Sequence, residues 1–178
     1  MLELTRDELI SRLEGMDKEA YLSFSGTNRY QVIIVGSGAL ILPRYIEVKT
    51  MDIDSIYVSG ELFPLLEKYD FNIRAETYIN CFPYNFEDRV TLFLKGKKID
   101  YYIPCLEDIV IAKLCASRAE DKEDIISPNV INSIDWNLLE HLAIDDNELK
   151  AASLNERNYN DFLYDYKEYV GRYRPCEN

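Results

Sequence analysis

The order of apolar and polar residues predicts a strand, a turn, a short helix and a second strand between residues 31 and 58. The β-branched run Val32–Val35 indicates a buried strand, and Gly36-Ser37-Gly38 after it indicates a tight turn. Ala39–Leu42 then favours a short helix. The stretch Thr50–Val58, β-branched and aromatic in its second half, is expected to form the next strand.

Further elements are predicted on both sides of this stretch. A capping box at Thr5–Glu8 predicts a first helix reaching Gly15, followed by a less regular helix or loop over residues 17–30. The pattern then predicts a helix at 61–69, a strand at 71–79, a hairpin of strands 91–94 and 98–103, and helices from Leu106 onward. The helical part has breaks near Ser127-Pro128 and at residues 145–147.

The expected fold class is therefore α/β (α+β). Residues 1–105 would form a small mixed sheet flanked by helices, and residues 106–178 a helical C-terminal region packed on it. The chain of 178 residues is long enough to bury a sizeable core.

Charge and composition narrow the function classes. The net charge of −12 argues against a broad nucleic-acid-binding surface, because phosphate contacts need Lys and Arg. The chain has one local cluster of positive charge, at Lys95, Lys97 and Lys98. This cluster either forms a basic patch or only flanks the hairpin turn. Four cysteines without a C-x-x-C pair and a single histidine argue against a zinc site. Neither a signal peptide nor a membrane-spanning apolar run is evident, so we expect a cytoplasmic protein without a membrane partner.

Two acidic residues in the second strand are the first candidate for chemistry. Asp52 and Asp54 are two apart, so they project to one side of a strand while Ile53 points to the core. Neighbouring carboxylates repel each other unless a cation lies between them, and magnesium binds carboxylates together with substrate phosphates. The alternative is two solvated acids on an edge strand. The preceding Gly36–Gly38 turn favours the metal interpretation, because its N–H groups can bind phosphate.

Lys113 is the second candidate, because it lies inside an otherwise apolar helix. Burying an ammonium group without a partner is costly. At helical spacing Lys113 shares a stripe with Ser117, Asp121 and Asp124. Lys113 is therefore either a functional cation or one half of an ordinary structural ion pair with Asp121.

The order of these motifs resembles the nucleotidyltransferase superfamily related to DNA polymerase β. Within it, the chain is similar to bacterial proteins of the AbiEii abortive-infection toxin group and to minimal nucleotidyltransferase-like proteins. Gly-Ser-Gly stands where Gly-Gly-Ser is commoner in these proteins, and a third acid is not obvious. The matching positions, between residues 30 and 126, are Gly36-Ser37 with Ala39-Leu40; Thr50-x-Asp52-x-Asp54; Pro83–Arg89; Glu107-Asp108-Ile109 with Lys113-Leu114; and Arg118-x-x-Asp121-x-x-Asp124.

The resemblance implies a Mg²⁺-dependent (or Mn²⁺-dependent) enzyme that transfers NMP from a nucleoside triphosphate to an RNA or protein acceptor. It also suggests the toxin of a toxin–antitoxin or phage-defence system, with an antitoxin as partner. Asp52 and Asp54 would hold the metal, and Lys113 would neutralise phosphate charge during catalysis. The implied nucleotide-binding residues are Gly36, Ser37, Gly38, Thr50, Lys113, Arg118 and Asp121.

Two alternatives stay open beside this interpretation. One is a catalytically silent nucleotidyltransferase-like domain that binds a nucleotide or a protein partner. The other is an antitoxin-side minimal nucleotidyltransferase that modifies its partner.

The superfamily places a third carboxylate on a strand next to the acid pair. Asp100 is the preferred candidate, because Ile99, Tyr101 and Ile103 would take the core side of its strand. If that strand lay beside the Asp52–Asp54 strand, Asp100 would complete a catalytic metal site. Glu76, on the predicted strand 71–79, is the competitor.

Overall fold

The computed structural model describes residues 4–48, 50–145, 148–152 and 156–176, without the side chains of residues 73, 76–78 and 156. The chain divides into two compact units. The sheet unit contains residues 1–77 and 89–104, and the helical unit contains residues 78–88 and 105–178. The predicted packing of residues 106–178 on the sheet stays a prediction.

The sheet unit contains one mixed sheet of five strands in the order β3-β2-β1-β5-β4. Strand β1 is antiparallel to β2 and parallel to β5, β2 is parallel to β3, and β4 and β5 form the antiparallel hairpin. This sheet and the helices after it confirm the predicted α/β class. The elements are α1 Arg6–Ser23, β1 Tyr30–Ile34, α2 Gly38–Ile41, β2 Ile53–Ile56, α3 Phe63–Lys68, β3 Phe71–Asn72, β4 Thr91–Lys95 and β5 Ile99–Ile103, with short 3₁₀ helices at Gly60–Leu62, Ile73–Cys81 and Phe86–Arg89.

The sheet core follows the predicted alternation closely in β5. Ile99, Tyr101 and Ile103 are buried there, whereas Asp100 and Tyr102 are half-buried. The Tyr101 hydroxyl donates a hydrogen bond of 2.8 Å to the Leu13 carbonyl of α1, which ties the helix to the sheet. The residues of β1 that face inward, including Val32 and Ile34, are fully buried.

Three predicted elements differ from the structure. The strand expected over Thr50–Val58 is limited to β2, so the placement of Asp52 on this strand is wrong and Asp52 lies just before it. Helix α1 continues past Gly15 to Ser23. Gly15 lies inside the helix and packs closely on the Tyr69 ring, which an added β-carbon would meet at 2.9 Å. The predicted strand 71–79 is wrong beyond Asn72. The Asn72 side-chain oxygen accepts a hydrogen bond of 3.0 Å from the Arg74 N–H, and the chain turns there into the 3₁₀ helix.

The β4–β5 turn is held by Asp17, an acid of α1 that the sequence did not single out. Asp17 is 8% exposed and accepts hydrogen bonds of 2.7–2.8 Å from three backbone N–H groups, those of residues 97, 98 and 99. Lys98 is buried, and its ammonium donates to the Gly26 carbonyl at 2.8 Å. The lysine cluster is therefore not a uniform basic patch, since one of its members serves the hairpin structure.

The helical unit is built around α4, whose apolar residues are mostly buried. Ser117 ends α4 in a left-handed conformation, with φ of 55°, and α5 starts two residues later. The predicted break at Ser127-Pro128 coincides with the start of α6, and residues 146–147 of the other break lie outside the described residues. The elements are α4 Leu106–Ala116, α5 Ala119–Ile125, α6 Pro128–Ser133, α7 Trp136–Glu140, a π-helical turn at His141–Asp145, α8 Glu148–Ala152 and α9 Glu156–Tyr173.

Helix α9 is the last helix of the helical unit, and its buried face is aromatic. Tyr159, Phe162, Tyr166 and Tyr169 are all buried, at the spacing of one side of a helix. Among the described residues, no helix combines the length and the apolar character that crossing a membrane requires.

Candidate functional site

The carboxyl end of β1 leads into a turn that only glycine fits well. Gly36 has a φ of 62°, in the left-handed region that other residues enter at a cost. A β-carbon on Gly36 would also collide with the Asp54 carboxylate. Ser37 follows in right-handed conformation and its carbonyl accepts from Leu40 and Ile41, which starts α2. The turn therefore brings backbone directly against an acidic side chain.

Both predicted acids lie at this end of the sheet. The Val35 N–H donates to the Asp54 carbonyl at 2.9 Å, which extends the β1–β2 ladder beyond Ile34. Ile53 is fully buried and Asp54 is half-buried, as the alternation predicts. Asp52 is half-buried and immediately precedes β2, and its carbonyl accepts from the Thr50 hydroxyl at 3.1 Å.

The expected adjacency of the Asp100 strand to the acid pair is wrong. Strand β5 pairs with β1 and β4, so β1 separates it from β2. Asp100 is in register with Gln31 of β1. Asp54 is opposite Val35, which lies four residues further along the chain than Gln31. This offset is about 13 Å along β1 and about 10 Å across two strand spacings. A separation of that size excludes a cation shared by Asp100 and the pair.

Asp100 instead belongs to the opposite end of the sheet. Arg29 donates to it through Nε at 3.2 Å and through a second nitrogen, and binds the Gly96 and Lys97 carbonyls at 2.9 Å. The side chain that stands beside Asp54 on the neighbouring strand is Asn72. Its amide donates to Asp54 Oδ1 at 2.8 Å, in the register pair Asp54–Asn72. An amide therefore occupies the position where we expected a carboxylate.

The other candidate for third acid, Glu76, has a side chain outside the described residues. The sequence pointed to an acid on a third strand but contained no signal for Asn72. The alternation over 71–79 predicted a long strand and did not indicate that only Phe71 and Asn72 pair with β2. Asn72 was an available signal for a turn, because an Asn side chain can accept from the backbone N–H two residues on, but it did not indicate a position beside Asp54.

Lys113 and the acids near it form a compact ion-pair cluster in the helical unit. The Lys113 ammonium lies 2.8 Å from Asp121 Oδ1 and 2.8 Å from Asp124 Oδ2, and its side chain is 4% exposed. Arg118 adds a bond of 2.6 Å from Nε to Asp121. The single helical stripe expected for these residues is bent at Ser117 into two helices. The structural interpretation of Lys113 is thus realised, and a role of Lys113, Arg118 and Asp121 in nucleotide binding stays a prediction.

Two buried acids of α4 have structural partners that the sequence did not suggest. Glu107 is 6% exposed and accepts from the Asp135 N–H at 2.7 Å. Asp108 is fully buried and accepts a contact of 3.0 Å from the Cys105 thiol, and burial and this carboxylate raise the pKa of Cys105. The motif around these acids therefore stabilises the start of α4.

The donor set at the end of β1 suits a cation that also takes ligands from a substrate. Within the described part of the chain, no group of three or more His, Cys, Asp or Glu side chains is arranged to hold a metal ion. Asp52 and Asp54 supply oxygen donors, which Mg²⁺ prefers, and Mg²⁺ commonly takes only one or two carboxylates beside substrate phosphates. The two acids therefore fit a Mg²⁺ ion that takes its remaining ligands from a substrate.

A family model described as "Nucleotidyltransferase of unknown function (DUF6036)" matches residues 11–174. The chain belongs to this family. The match covers both units, so the nucleotidyltransferase family includes the helical unit as well as the sheet. No curated protein and no solved structure matches the chain. The family confirms the broader resemblance, whereas membership of the AbiEii toxin group stays a prediction from the sequence.

Proposed function

We propose that this nucleotidyltransferase-family protein binds a nucleoside triphosphate with Mg²⁺ at the carboxyl end of β1 and transfers its nucleoside monophosphate to a hydroxyl group of a protein. The observation that carries the proposal is the contact of the Gly36 turn with Asp54, two residues beyond Asp52. A phosphate-binding turn and an acid pair at one point of a sheet serve one ligand that has phosphates and a cation.

The turn supplies the phosphate contacts in this proposal. Left-handed Gly36 followed by right-handed Ser37 is the backbone alternation that directs successive N–H groups into one concavity suited to an anion. The outer phosphates would be held there, with the Ser37 hydroxyl and Gly38 at the same turn. Glycine at position 36 keeps the backbone close enough for the phosphates and Asp54 to approach the same cation.

The acids supply the metal contacts. Asp52 and Asp54 are the residues that would hold Mg²⁺ (or Mn²⁺), with Asp54 kept in place by Asn72. When bound, the metal neutralises charge on the triphosphate oxygens. The acceptor oxygen forms a bond to the α-phosphorus, the bond from that phosphorus to the bridging oxygen breaks, and pyrophosphate leaves. The acceptor hydroxyl passes its proton to solvent water in the same reaction.

The charge of the protein favours a protein acceptor over RNA. A net charge of −12 repels a polyanion, and Lys98 of the lysine cluster is buried in the hairpin. The toxin role and an antitoxin partner stay predictions from the sequence resemblance.

A binding-only function is the second candidate, and Asn72 is the observation that favours it. An amide beside Asp54 cannot replace the negative charge of a third carboxylate, and Asp100 is at the other end of β1. A site with two carboxylates would still bind a nucleotide with its metal.

One labelling experiment separates the two candidates. The protein is incubated with each α-³²P-labelled nucleoside triphosphate, Mg²⁺ and a cell extract, and label is followed in protein and in RNA. Transfer to protein that is lost in Asp54→Asn and retained in Asp100→Asn supports the proposal. Label in RNA overturns the acceptor assignment. Nucleotide binding without any transfer supports the binding-only function, and absence of binding contradicts both.

A further inference from the structure

The Asn72 side chain bridges a backbone N–H group and the Asp54 carboxylate. Its oxygen accepts a hydrogen bond of 3.0 Å from the Arg74 N–H, and its nitrogen donates one of 2.8 Å to Asp54 Oδ1. A backbone N–H can only donate and an ionised carboxylate can only accept, so these two partners determine which end of the amide faces which. The Arg74 N–H therefore holds Asn72 in the orientation that presents an N–H group to Asp54.

Strand β3 fixes the place of Asn72 through its neighbours in the ladder. Phe71 is in register with Ile53, and both side chains are buried. The Ile53 N–H donates to the Asp70 carbonyl at 3.1 Å, which extends the pairing to the residue before Phe71. Because side chains alternate along a strand, burial of Phe71 puts Asn72 on the face that carries Asp54. Two paired residues are thus sufficient to place one amide beside one carboxylate.

The two oxygens of Asp54 have different surroundings. Oδ1 accepts from Asn72, whereas Oδ2 is the atom that a β-carbon on Gly36 would meet first. With Oδ1 held from the side, the carboxylate keeps Oδ2 towards the Gly36 turn. The amide that holds it is neutral, and the amide nitrogen donates hydrogen bonds and has no acceptor capacity for a cation. Asn72 therefore orients the acid without adding a third anionic ligand.

We propose that Asn72 is a positioning residue that holds Asp54 Oδ2 towards the Gly36 turn and, being neutral, restricts divalent-cation binding to the nucleotide-bound protein. The inference rests on the proposed function, in which this turn binds the phosphates. Mg²⁺ takes octahedral coordination, of which two carboxylates supply only a part, and the phosphates add further ligands. Groups that hydrogen-bond a metal ligand commonly change metal affinity by about 10–100-fold when they are removed.

Equilibrium dialysis with Mn²⁺ tests this role without any transfer reaction. The protein is dialysed at physiological salt with and without a triphosphate that has a non-hydrolysable α,β linkage, and manganese in both compartments is measured by electron paramagnetic resonance after acid release. We expect excess Mn²⁺ on the protein side only when the nucleotide is present. Asn72→Ala should weaken this nucleotide-dependent binding by about 10–100-fold, in protein that circular dichroism shows to be folded.

Asn72→Asp tests the need for a neutral side chain. The variant keeps an oxygen for the Arg74 N–H and puts a carboxylate oxygen where the amide nitrogen lies beside Asp54. Two adjacent carboxylates repel each other unless a cation lies between them, so we expect this variant to gain Mn²⁺ binding without nucleotide. Gln31→Glu is the matched control, because Gln31 is an amide in register with Asp100 at the other end of β1. Arg29 already binds Asp100, so the control should gain no Mn²⁺.

The possible outcomes separate this inference from the proposed function. Equal nucleotide-dependent Mn²⁺ binding by the wild type and by folded Asn72→Ala would overturn the positioning role and leave the nucleotide site standing. Failure of Asn72→Asp to gain nucleotide-free binding, or tight nucleotide-free binding by the wild type, would overturn the restriction. If Asn72→Ala does not fold, the nearly isosteric Asn72→Asp decides. Absence of nucleotide-dependent Mn²⁺ binding by the wild type would overturn the proposed function together with this inference.

Discussion

The acids at the end of β1 and the acids around Lys113 differ in what holds them. Asp121 and Asp124 are bonded at 2.8 Å to the buried Lys113 ammonium, and Asp121 also binds the Arg118 guanidinium. Asp54 accepts a hydrogen bond from the neutral amide of Asn72 and lies against the Gly36 backbone. Asp121 and Asp124 are thus held by cations of the helical unit, whereas Asp54 has an amide and a glycine turn among its neighbours, where we propose the nucleotide site.

The same contrast exists within the sheet unit. Asp17 and Asp100 are acids at the opposite end of β1, where backbone N–H groups and Arg29 bind them. Asp100 was the preferred sequence candidate for the third carboxylate, yet it is bound by Arg29, which also binds the carbonyls of the hairpin turn. Position in a sequence motif alone was therefore not sufficient to assign an acid to the proposed site.

The largest expected effect is on stability and comes from Lys113→Met. Removal of the ammonium takes a cationic partner from the buried Asp121 carboxylate and the half-buried Asp124 carboxylate. We therefore expect the free energy of unfolding, measured by urea titration, to fall by about 3–5 kcal/mol. Lys122→Met is the matched control, because that lysine is 45% exposed in its pair with Asp165. The control should cost less than about 1 kcal/mol. Equal stability of the two variants would contradict a structural role of the Lys113 cluster.

Asp17→Ala should come next in size. Three backbone N–H groups of the β4–β5 turn lose their acceptor, and an unsatisfied buried donor costs about 1–3 kcal/mol. We expect a loss of roughly 3 kcal/mol of unfolding free energy, measured by chemical denaturation, after relaxation and water entry at the turn. Asp17→Asn keeps one acceptor oxygen and should lose distinctly less. An Ala variant as stable as the wild type would show that the turn does not need this carboxylate.

Gly36→Ala should have a smaller effect on stability and a large one on binding. The left-handed conformation costs a β-carbon about 1–2 kcal/mol, and the new methyl group must displace the Asp54 carboxylate. Gly26→Ala is the control, because Gly26 has a φ of 94° but a β-carbon added there would meet nothing within 4 Å. Both variants should lose stability in thermal unfolding, and only Gly36→Ala should lose nucleotide affinity in calorimetry. Loss of affinity in both would remove the special role of the Gly36 turn.

Much of the fold was predictable because it depends on local patterns. The β-branched run before Gly36 forms β1, and the alternation Ile99–Ile103 forms β5 with the predicted residues inside. The pairing of strands was not predictable. Alternation determines which face of a strand is buried, but it does not determine which strand lies next to it. That gap produced the error over Asp100.

The candidate site was predictable to a similar extent. Asp52, Asp54 and the Gly36 turn are close in sequence, and their spacing was sufficient to place them at one end of the sheet. Asn72 is distant in sequence from Asp54 and joins it only through the β2–β3 register. Ser117 adopts a left-handed conformation that separates Lys113 from Asp121 and Asp124 onto two helices. Hydrophobic periodicity does not indicate such a residue.

The most direct test of the central claim is isothermal titration of ATP and GTP, with and without Mg²⁺, into three proteins. These are the wild type, Asp52→Asn/Asp54→Asn and Asp100→Asn, each checked for unfolding free energy. We predict Mg²⁺-dependent binding by the wild type and by Asp100→Asn, and no measurable binding by the double variant, which should stay folded because the mutual repulsion of two carboxylates is removed. Unchanged affinity in the folded double variant, or loss of affinity in Asp100→Asn alone, would contradict a nucleotide site at Asp52 and Asp54.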